Sequence, residues 1–471
     1  MMRLHLLFVW IILSACGPKT HKESDISKDN NYSTEISKYG AVSIFAVDLA
    51  SNEVLLAKNP QQRMTPASLT KIFTSGAALN VLSPEFRYRT KFYLQKHGAE
   101  YSLMVVGCGD PTLGSDRFED TKPEVIFKQL YDVLNRKGIK RITHLYVDNS
   151  CYNGIKQPSK RLWEDMANYY GAVPNGLSYR ENTFTLTLHS PKGVGSDVKI
   201  VKTEPELSIG LKSYVKSAAN NKDSAYIYGH PHMKEWYVSG TIPQGRKAFK
   251  IKGALPQPEL VFAQELNAFL LEKGVEITGE IRYSKNETFK AQLIHEHLSP
   301  RLSDIIAVVN KKSNNLYADH LLFTLSERGA APNWDNGVRA LSNYWQSEVA
   351  GFEGSFFDGS GLSPFNAVSA QDMVKVLTKL NQSVYADAFM NSLSVAGVDG
   401  TLRSILKDED FKGRVIGKSG SMNGVLCYCG YLQTVNGQSI AFCIMANRFT
   451  ESFKELRMNM EQVMKELILH N

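Results

Sequence analysis

The sequence lacks features that would point to several common classes of protein. Its net charge of +7 is spread along the chain without an arginine-rich run, so nucleic acid is a poor candidate for a partner. Two His-x-His pairs occur, at His230/His232 and His295/His297, but neither an HExxH motif nor a cysteine pair supports them as metal ligands. We therefore expect no metal site and no cofactor.

The N-terminal apolar run, Leu4–Leu13, is too short to be a comfortable membrane span. Arg3 precedes it and small residues follow it, which is typical of a secretory signal peptide over residues 1–15. The ending Leu13-Ser14-Ala15-Cys16 resembles a bacterial lipobox, in which the cysteine is lipidated; ordinary cleavage beside a chance cysteine is the alternative. Residues 16–38 are polar and favour a flexible tether. The sequence thus predicts an exported lipoprotein, anchored to the membrane on its periplasmic side.

Cysteines are scarce, with 6 in 471 residues. Without Cys16 an odd number remains, which argues against a complete disulfide framework. A two-residue turn at Asn436-Gly437 would place Cys443 opposite Gly430 and facing away from Cys429. We therefore expect mostly buried free thiols at the remaining positions, which are Cys108, Cys151, Cys427, Cys429 and Cys443.

The periodicity of apolar residues changes twice along the chain. A strand, its hairpin partner and a helix come first, short β-like runs follow, and helical periodicity returns from Leu302 onward before a terminal hairpin and helix. This order predicts an α+β domain, residues 39–90 and 295–471, interrupted by one or two inserted β-rich domains at 91–294. The composition, 43% hydrophobic and 21% charged, is that of a globular protein.

Met64–Leu79 carries the first candidate for chemistry. Thr65 can cap a helix that begins at Pro66 and continues as an apolar run. Ser68 and Lys71 are three residues apart, so they share one face near the helix N-terminus, where a hydroxyl beside an amine can act as a nucleophile. The motif alone is weak, because Ser-x-x-Lys also occurs at Ser196/Lys199, Ser213/Lys216 and Ser404/Lys407.

Two further motifs follow in the chain. Ser313-Asn314-Asn315 lies between two predicted helices and offers a proton-relaying hydroxyl and an amide, although a helix cap would look the same. Lys418-Ser419-Gly420-Ser421 immediately precedes the terminal hairpin. A lysine, a hydroxyl and a glycine that lets a substrate backbone approach would suit a peptide carboxylate; the alternative is a solvated strand end.

These three motifs, in this order, form the serine penicillin-recognising arrangement. The chain resembles the class C low-molecular-mass penicillin-binding proteins, a D-alanyl-D-alanine carboxypeptidase/endopeptidase family of serine peptidases. The resemblance implies a penicillin-binding transpeptidase-like (β-lactamase-like) domain with a β-rich insertion. It rests on seven segments in the same order: Pro66–Leu79, Gly107–Leu113, Trp163–Ala172, Lys311–Leu322, Asp358–Asn366, Gly397–Leu402 and Gly417–Val425.

The resemblance implies a role for each motif. Ser68 would attack the peptide carbonyl of D-Ala-D-Ala, and Lys71 would take its proton, for which a nearby Lys418 cation and desolvation would lower the pKa of Lys71. Ser313 would relay a proton to the leaving amine, and Asn315 would hold both the substrate backbone and Lys71.

The third motif would bind the substrate. Lys418, Ser419, Gly420 and Ser421 would form the binding edge, with Lys418 and Ser419 on the terminal carboxylate. The backbone N–H groups of Ser68 and Ser421 would form the oxyanion hole.

The implied partners are peptidoglycan peptides ending in D-Ala-D-Ala and β-lactam antibiotics as covalent inhibitors.

Three positions depart from the family pattern: Ser419 replaces a common threonine, Cys108 lies in a usually glycine-rich segment, and Asp319 stands where glutamate is frequent. We expect neither of the last two to touch the proposed chemistry, although both could alter the packing. A β-lactamase is the rival enzyme, although no Glu-x-x-Leu-Asn pattern supports it, and a non-catalytic wall-binding lipoprotein is the third reading. Carboxypeptidase and endopeptidase action are not distinguished.

Overall fold

The computed structural model describes residues 35–152, 157–284, 291–326 and 331–469. The predicted signal peptide, Cys16 and most of the tether lie outside these ranges. Within them, no helix combines the length and the hydropathy needed to cross a bilayer.

The described residues form strands β1–β19 and helices α1–α9. The strands are β1 (Ala41–Asp48), β2 (Val54–Lys58), β3 (Arg89–His97), β4 (Glu100–Val106), β5 (Arg141–Ile142), β6 (His144–Asp148), β7 (Thr183–His189), β8 (Lys199–Glu204), β9 (Gly210–Ala218), β10 (Ser224–Tyr228), β11 (Glu235–Pro243), β12 (Phe249–Ala254), β13 (Glu276–Ile277), β14 (Ile281–Tyr283), β15 (Gln292–Leu298), β16 (Ser394–Val395), β17 (Val415–Met422), β18 (Val425–Gln433) and β19 (Ser439–Asn447). The helices are α1 (Thr70–Leu82), α2 (Pro123–Arg136), α3 (Pro258–Glu272), α4 (Leu302–Lys311), α5 (Asn315–Thr324), α6 (Trp334–Glu348), α7 (Ala370–Asn381), α8 (Ala386–Ser392) and α9 (Phe453–Ile468).

An antiparallel sheet in the order β16-β17-β18-β19-β1-β2 is the centre of the first domain. Successive residues of β19 point to opposite faces, and both faces are covered. Ile444 packs with Met460 and Val463 of α9, whereas Cys443 and Met445 belong to the core formed with α1 and α4–α7. Three layers result, which explains why β18 and β19 read as nearly continuous apolar runs. The predicted α+β class and the terminal hairpin are confirmed.

The start of the first helix differs from the prediction. Ala67–Leu69 forms a 3₁₀ turn, and α1 begins only at Thr70. Thr65 does not cap it, because its Oγ1 donates to the carbonyl oxygen of Pro364 at 3.1 Å. Ala67 has a φ of 46°, which cannot continue into a regular helix and breaks the first turn away from α1. The predicted cap assumed that the helix begins at Pro66.

The register of the terminal hairpin is one residue from the prediction. Cys429 pairs with Cys443, and Gln433 with Ser439, so the connection is longer than a two-residue turn. The Thr434 N–H donates to the Gln438 carbonyl at 2.9 Å and closes this wider loop. The thiols are nevertheless free, as expected, at all five cysteines of the described residues.

The inserted region is built from smaller sheets. One sheet has five strands in the order β14-β6-β4-β3-β15, two have three strands each, and β13 pairs with β5. Because β15 pairs with β3, His295 and His297 belong to this sheet, although the sequence placed residue 295 onward in the first domain. The chain enters and leaves the insertion side by side, where the Ser299 N–H donates to the Tyr88 carbonyl at 3.1 Å.

Candidate active site

Ser68 lies in the 3₁₀ turn that precedes α1, and two glycines hold this turn in place. A Cβ on Gly361 would lie 1.9 Å from the Ala67 carbonyl oxygen, and one on Gly420 would lie 2.5 Å from that of Pro66. Only glycine permits either approach. Gly420 therefore packs β17 against the turn that carries Ser68, which is a different reason for glycine from the substrate approach expected at this position.

Lys71 is fully buried and brings the first two motifs together. Its Nζ donates to Ser68 Oγ at 3.1 Å, to Asn315 Oδ1 at 2.7 Å and to the Ser360 carbonyl at 2.5 Å. The amine thus has three oxygen partners, one of which is the hydroxyl that it would deprotonate.

Burial lowers the pKa of Lys71 to about 8, with a smaller lowering from the Arg161 cation. The carboxylates of Asp319 and Asp358 act in the opposite direction and raise it. The predicted direction agrees with this shift. Of the two causes that the sequence suggested, the loss of solvent is the largest contribution, whereas Lys418 is not among the groups that shift this pKa. A lysine with this pKa can lose its proton near neutral pH.

The second and third motifs meet at Ser313. The loop between α4 and α5 places Ser313 at a φ of 54°, and Asn314 caps α5 by accepting from the Tyr317 N–H at 2.9 Å. Lys418 Nζ donates to Ser313 Oγ at 2.9 Å and to the Ser419 carbonyl at 2.6 Å. Burial, followed by the neighbouring Lys71, lowers the pKa of Lys418 well below its usual value.

One edge of β17 is open beside Ser68. β16 pairs with β17 only at Ile416 and Gly417, so within the described ranges no strand covers that edge from Lys418 onward. Ser419 is half-buried and Ser421 is exposed. Such an edge has the backbone donors and acceptors that an extended peptide requires.

Three buried charged residues, which the sequence analysis did not single out as a group, support this site. Arg161 Nη2 lies 2.9 Å from Asp319 Oδ2 and 3.3 Å from Asp358 Oδ2, and all three side chains are fully buried. Asp319 also accepts from Ser360 Oγ at 3.2 Å and from the Gly359 N–H at 3.0 Å. It therefore fixes the segment whose carbonyl contacts Lys71, and it acts on that amine without a direct hydrogen bond to a motif side chain in the described part of the chain.

The sequence gives only a weak indication that Arg161, Asp319 and Asp358 belong to the site. Asp319 and Asp358 lie inside two of the family-like segments, and Arg161 precedes a third by two residues. Nothing in their spacing shows that they meet, because 158 residues separate Arg161 from Asp319.

The geometry and the fold together define a class of protein. A serine hydroxyl beside a buried lysine, at the edge of an antiparallel sheet flanked by helices, is the site of a serine-type acyl-transfer enzyme. The chain belongs to the D-Ala-D-Ala carboxypeptidase 3 (S13) family of peptidases, whose sequence model matches residues 33–467. The resemblance inferred from the motifs is confirmed.

Curated relatives match over most of their length. The chain is 27% identical to D-alanyl-D-alanine carboxypeptidase DacB of Haemophilus influenzae over 429 residues, covering 87% of this chain and 86% of that protein. It is 26% identical to a D-alanyl-D-alanine carboxypeptidase of Actinomadura sp. over 430 residues, covering 87% of this chain and 78% of that protein.

Solved structures share the fold. Penicillin-binding protein 4 of Haemophilus influenzae matches with a TM-score of 0.80 at 24% identity, covering 93% of this chain and 99% of that one. A predatory peptidoglycan endopeptidase of Bdellovibrio bacteriovorus matches with a TM-score of 0.54 at 18% identity, covering 92% and 93%. The predicted transpeptidase-like fold with a β-rich insertion is therefore confirmed.

The Arg161→Met variant tests the buried ion group. Removing the guanidinium leaves Asp319 and Asp358 buried without their cation, so we expect the free energy of unfolding to fall by about 3–5 kcal/mol. Urea titration measures this. Arg282→Met is the matched control, because Arg282 is 48% exposed and pairs with Glu280 at 3.4 Å; it should cost less than about 1 kcal/mol. Equal losses in the two variants would contradict a special role for the buried group.

Proposed function

We propose that this protein is a serine D-Ala-D-Ala carboxypeptidase or D,D-endopeptidase that acts on peptidoglycan stem peptides through an acyl-Ser68 intermediate. The observation that carries this proposal is the 3.1 Å contact between the buried Lys71 Nζ and Ser68 Oγ. The names of the curated relatives support the substrate class.

The acylation step follows from the positions of the side chains. Neutral Lys71 takes the Ser68 proton while Oγ attacks the carbonyl carbon of the scissile peptide bond. The backbone N–H groups of Ser68 and Ser421 would stabilise the oxyanion, a contribution usually worth about 3–4 kcal/mol. As the C–N bond breaks, Ser313 passes a proton to the leaving amine and is resupplied through Lys418, with which it is hydrogen bonded. The released product is D-alanine or the amine end of a cross-link.

Lys418 and Ser419 hold the substrate's terminal carboxylate in this proposal. Two buried amines disfavour each other's charge, which is why Lys71 lowers the pKa of Lys418. A bound carboxylate would raise the pKa of Lys418, and the resulting cation would favour the neutral form of Lys71. Substrate binding would thus prepare the base.

Water completes the cycle by hydrolysing the ester. Its oxygen bonds to the acyl carbon as the bond to Ser68 Oγ breaks, Lys71 returns its proton to Ser68 Oγ, and the proton that water loses replaces the one that Lys418 gave up. β-Lactams would enter the same acylation step and remain as a covalent adduct. An enzyme is favoured over a non-catalytic protein because the nucleophile is hydrogen bonded to the base and the relay to the anchor. The two pairs are also close enough for Lys71 to lower the pKa of Lys418.

The Ser68→Ala variant tests the acyl-enzyme. We expect the native protein to bind fluorescent penicillin covalently and to release D-alanine from purified monomeric muropeptides. The variant should lose both activities, because Ser68 Oγ is the one hydroxyl to which Lys71 Nζ is hydrogen bonded within the described residues. Product masses from cross-linked muropeptides separate endopeptidase from carboxypeptidase action. A native protein that takes no label would refute the proposal, and one that sheds its label within seconds would be a β-lactamase.

The pH dependence of acylation tests the base. Because Lys71 must be neutral and its pKa is about 8, the labelling rate should rise with pH and level off above about 8. Asp319→Asn removes a negative charge that raises this pKa, so the midpoint should move to lower pH. The control is Asp132→Asn, in a surface pair with Lys128. An upward or absent shift in the Asp319 variant would contradict Lys71 as the base.

We also propose that Cys16 carries a lipid that tethers the catalytic chain to the membrane. The support is the apolar run Leu4–Leu13 followed by Leu13-Ser14-Ala15-Cys16. Cells fed an alkyne-tagged fatty acid should incorporate the tag into the native protein and not into the Cys16→Ala variant. Equal incorporation, or none in the native protein, would contradict lipidation at this residue.

A further inference from the structure

A cleft of about 200 Å³ begins at Ser313 and runs between the first domain and the insertion. Residues 312–316 form one wall. Residues of the insertion form the other, among them Arg117, Glu181 and Lys252. Three lysine or arginine side chains line this space, against one carboxylate among the described residues.

The carboxylate that lines this cleft, Glu181, already has basic and hydroxyl partners. Glu181 forms a two-pronged ion pair with Arg117, in which Nη2 lies 3.1 Å from Oε2, and Oε1 also accepts from Tyr317 Oη at 2.9 Å and Ser115 Oγ at 2.8 Å. Although burial opposes it, Arg117 holds the pKa of Glu181 below its usual value. The charges of Arg117 and Glu181 therefore cancel.

Lys252 and Lys312 remain. Both side chains are exposed, and within the described ranges neither ammonium group forms an ion pair or a hydrogen bond. They belong to different parts of the fold: Lys252 lies on β12 of the insertion, and Lys312 directly precedes Ser313. Although burial opposes it, Lys311 and, more weakly, Lys312 lower the pKa of Asp399, and this carboxylate is ion paired with Lys311 at 2.7 Å. Two cations that line one cleft, neither of them in an ion pair within the described ranges, attract an anionic group on a ligand.

The cleft continues into a larger space. A cavity of about 610 Å³ shares Arg117, Glu181, Thr183 and Lys252 with it. Three further carboxylates line this cavity. Glu204 lies 2.9 Å from Lys202 and Glu265 lies 2.9 Å from Arg180, whereas Asp116 is exposed and lines the larger cavity but not the cleft at Ser313. There is thus room beside Ser313 for more of a peptide than its terminal dipeptide.

We propose that Lys252 and Lys312 form a subsite for a side-chain carboxylate of the peptide substrate, upstream of the scissile bond. This inference rests on the proposed peptidase function and adds a selectivity: a stem peptide with a free carboxylate is preferred over the same peptide with a carboxamide. The insertion contributes to this choice directly, through Lys252.

The test uses synthetic peptides ending in D-Ala-D-Ala. Each carries one side-chain carboxylate at either of the two preceding residues, and each is matched with its carboxamide. For the native protein we expect kcat/KM to favour one acidic peptide by about fivefold, the size of a single exposed ion pair, with the preference shrinking as salt is added. In Lys252→Gln and in Lys312→Gln the ratio should fall toward one.

Two variants make the readout specific. Lys252→Arg keeps the charge and should keep the ratio. Lys250→Gln removes a cation two residues earlier on β12, outside the two cavities, and should also keep it. The penicillin-labelled fraction of each preparation gives the concentration of active enzyme, so a misfolded variant is not mistaken for one with altered selectivity.

The outcomes are separable. No preference in the native protein, or a Lys252→Gln variant that loses activity on both peptides of a pair in proportion, would overturn the subsite. A Lys250→Gln variant that loses the preference equally would show a diffuse charge effect and overturn it too. A native protein that takes no penicillin label would instead refute the proposed function itself.

Discussion

A buried guanidinium between two buried carboxylates connects the two halves of this molecule. Arg161 belongs to the insertion, whereas Asp319 and Asp358 belong to the first domain, and none of the three side chains contacts solvent. Charges in such surroundings are costly unless they are paired and hydrogen bonded. The Gly359 N–H and Ser360 Oγ satisfy part of Asp319. The insertion therefore cannot move away without exposing an unpaired charge on each side.

The same group determines the chemistry of the base. Asp319 orients the segment whose Ser360 carbonyl accepts from Lys71. The charges of Asp319, Asp358 and Arg161 also shift the pKa of that amine. Burial alone would lower the pKa of Lys71 further, because both carboxylates raise it. The pKa of about 8 is thus a compromise between desolvation and two carboxylates partly offset by Arg161. The side chains of Arg161, Asp319 and Asp358 therefore both hold the two parts of the fold together and shift the pKa of Lys71.

The sequence predicts features that depend on local spacing and misses those that depend on long-range contact. Ser68 and Lys71 are three residues apart, so their proximity follows from helical geometry. Strand β9 gives only a weak strand signal in the sequence, because Ser213 and Ser217 alternate with Leu211 and Val215 on its inward face. The predicted cap at Thr65 was wrong because the Thr65 hydroxyl donates to the distant Pro364 carbonyl instead. The predicted register at Cys443 was wrong because the hairpin closes with a wider loop than two residues. The contact of Arg161 with Asp319 has no local signature at all.

Asn315 shows why the insertion matters even to residues that the motifs identified. An amide can face Lys71 with either its oxygen or its nitrogen, and only the oxygen can accept from the amine. In this site Nδ2 donates to the Tyr170 carbonyl at 2.9 Å, which leaves Oδ1 for Lys71. Tyr170 lies in the insertion, nine residues after Arg161. Because the buried ion group holds Arg161, the same segment holds the carbonyl that orients the amide. The insertion therefore acts on the base by two routes: a charge next to Lys71, and a hydrogen bond that turns Asn315 toward it.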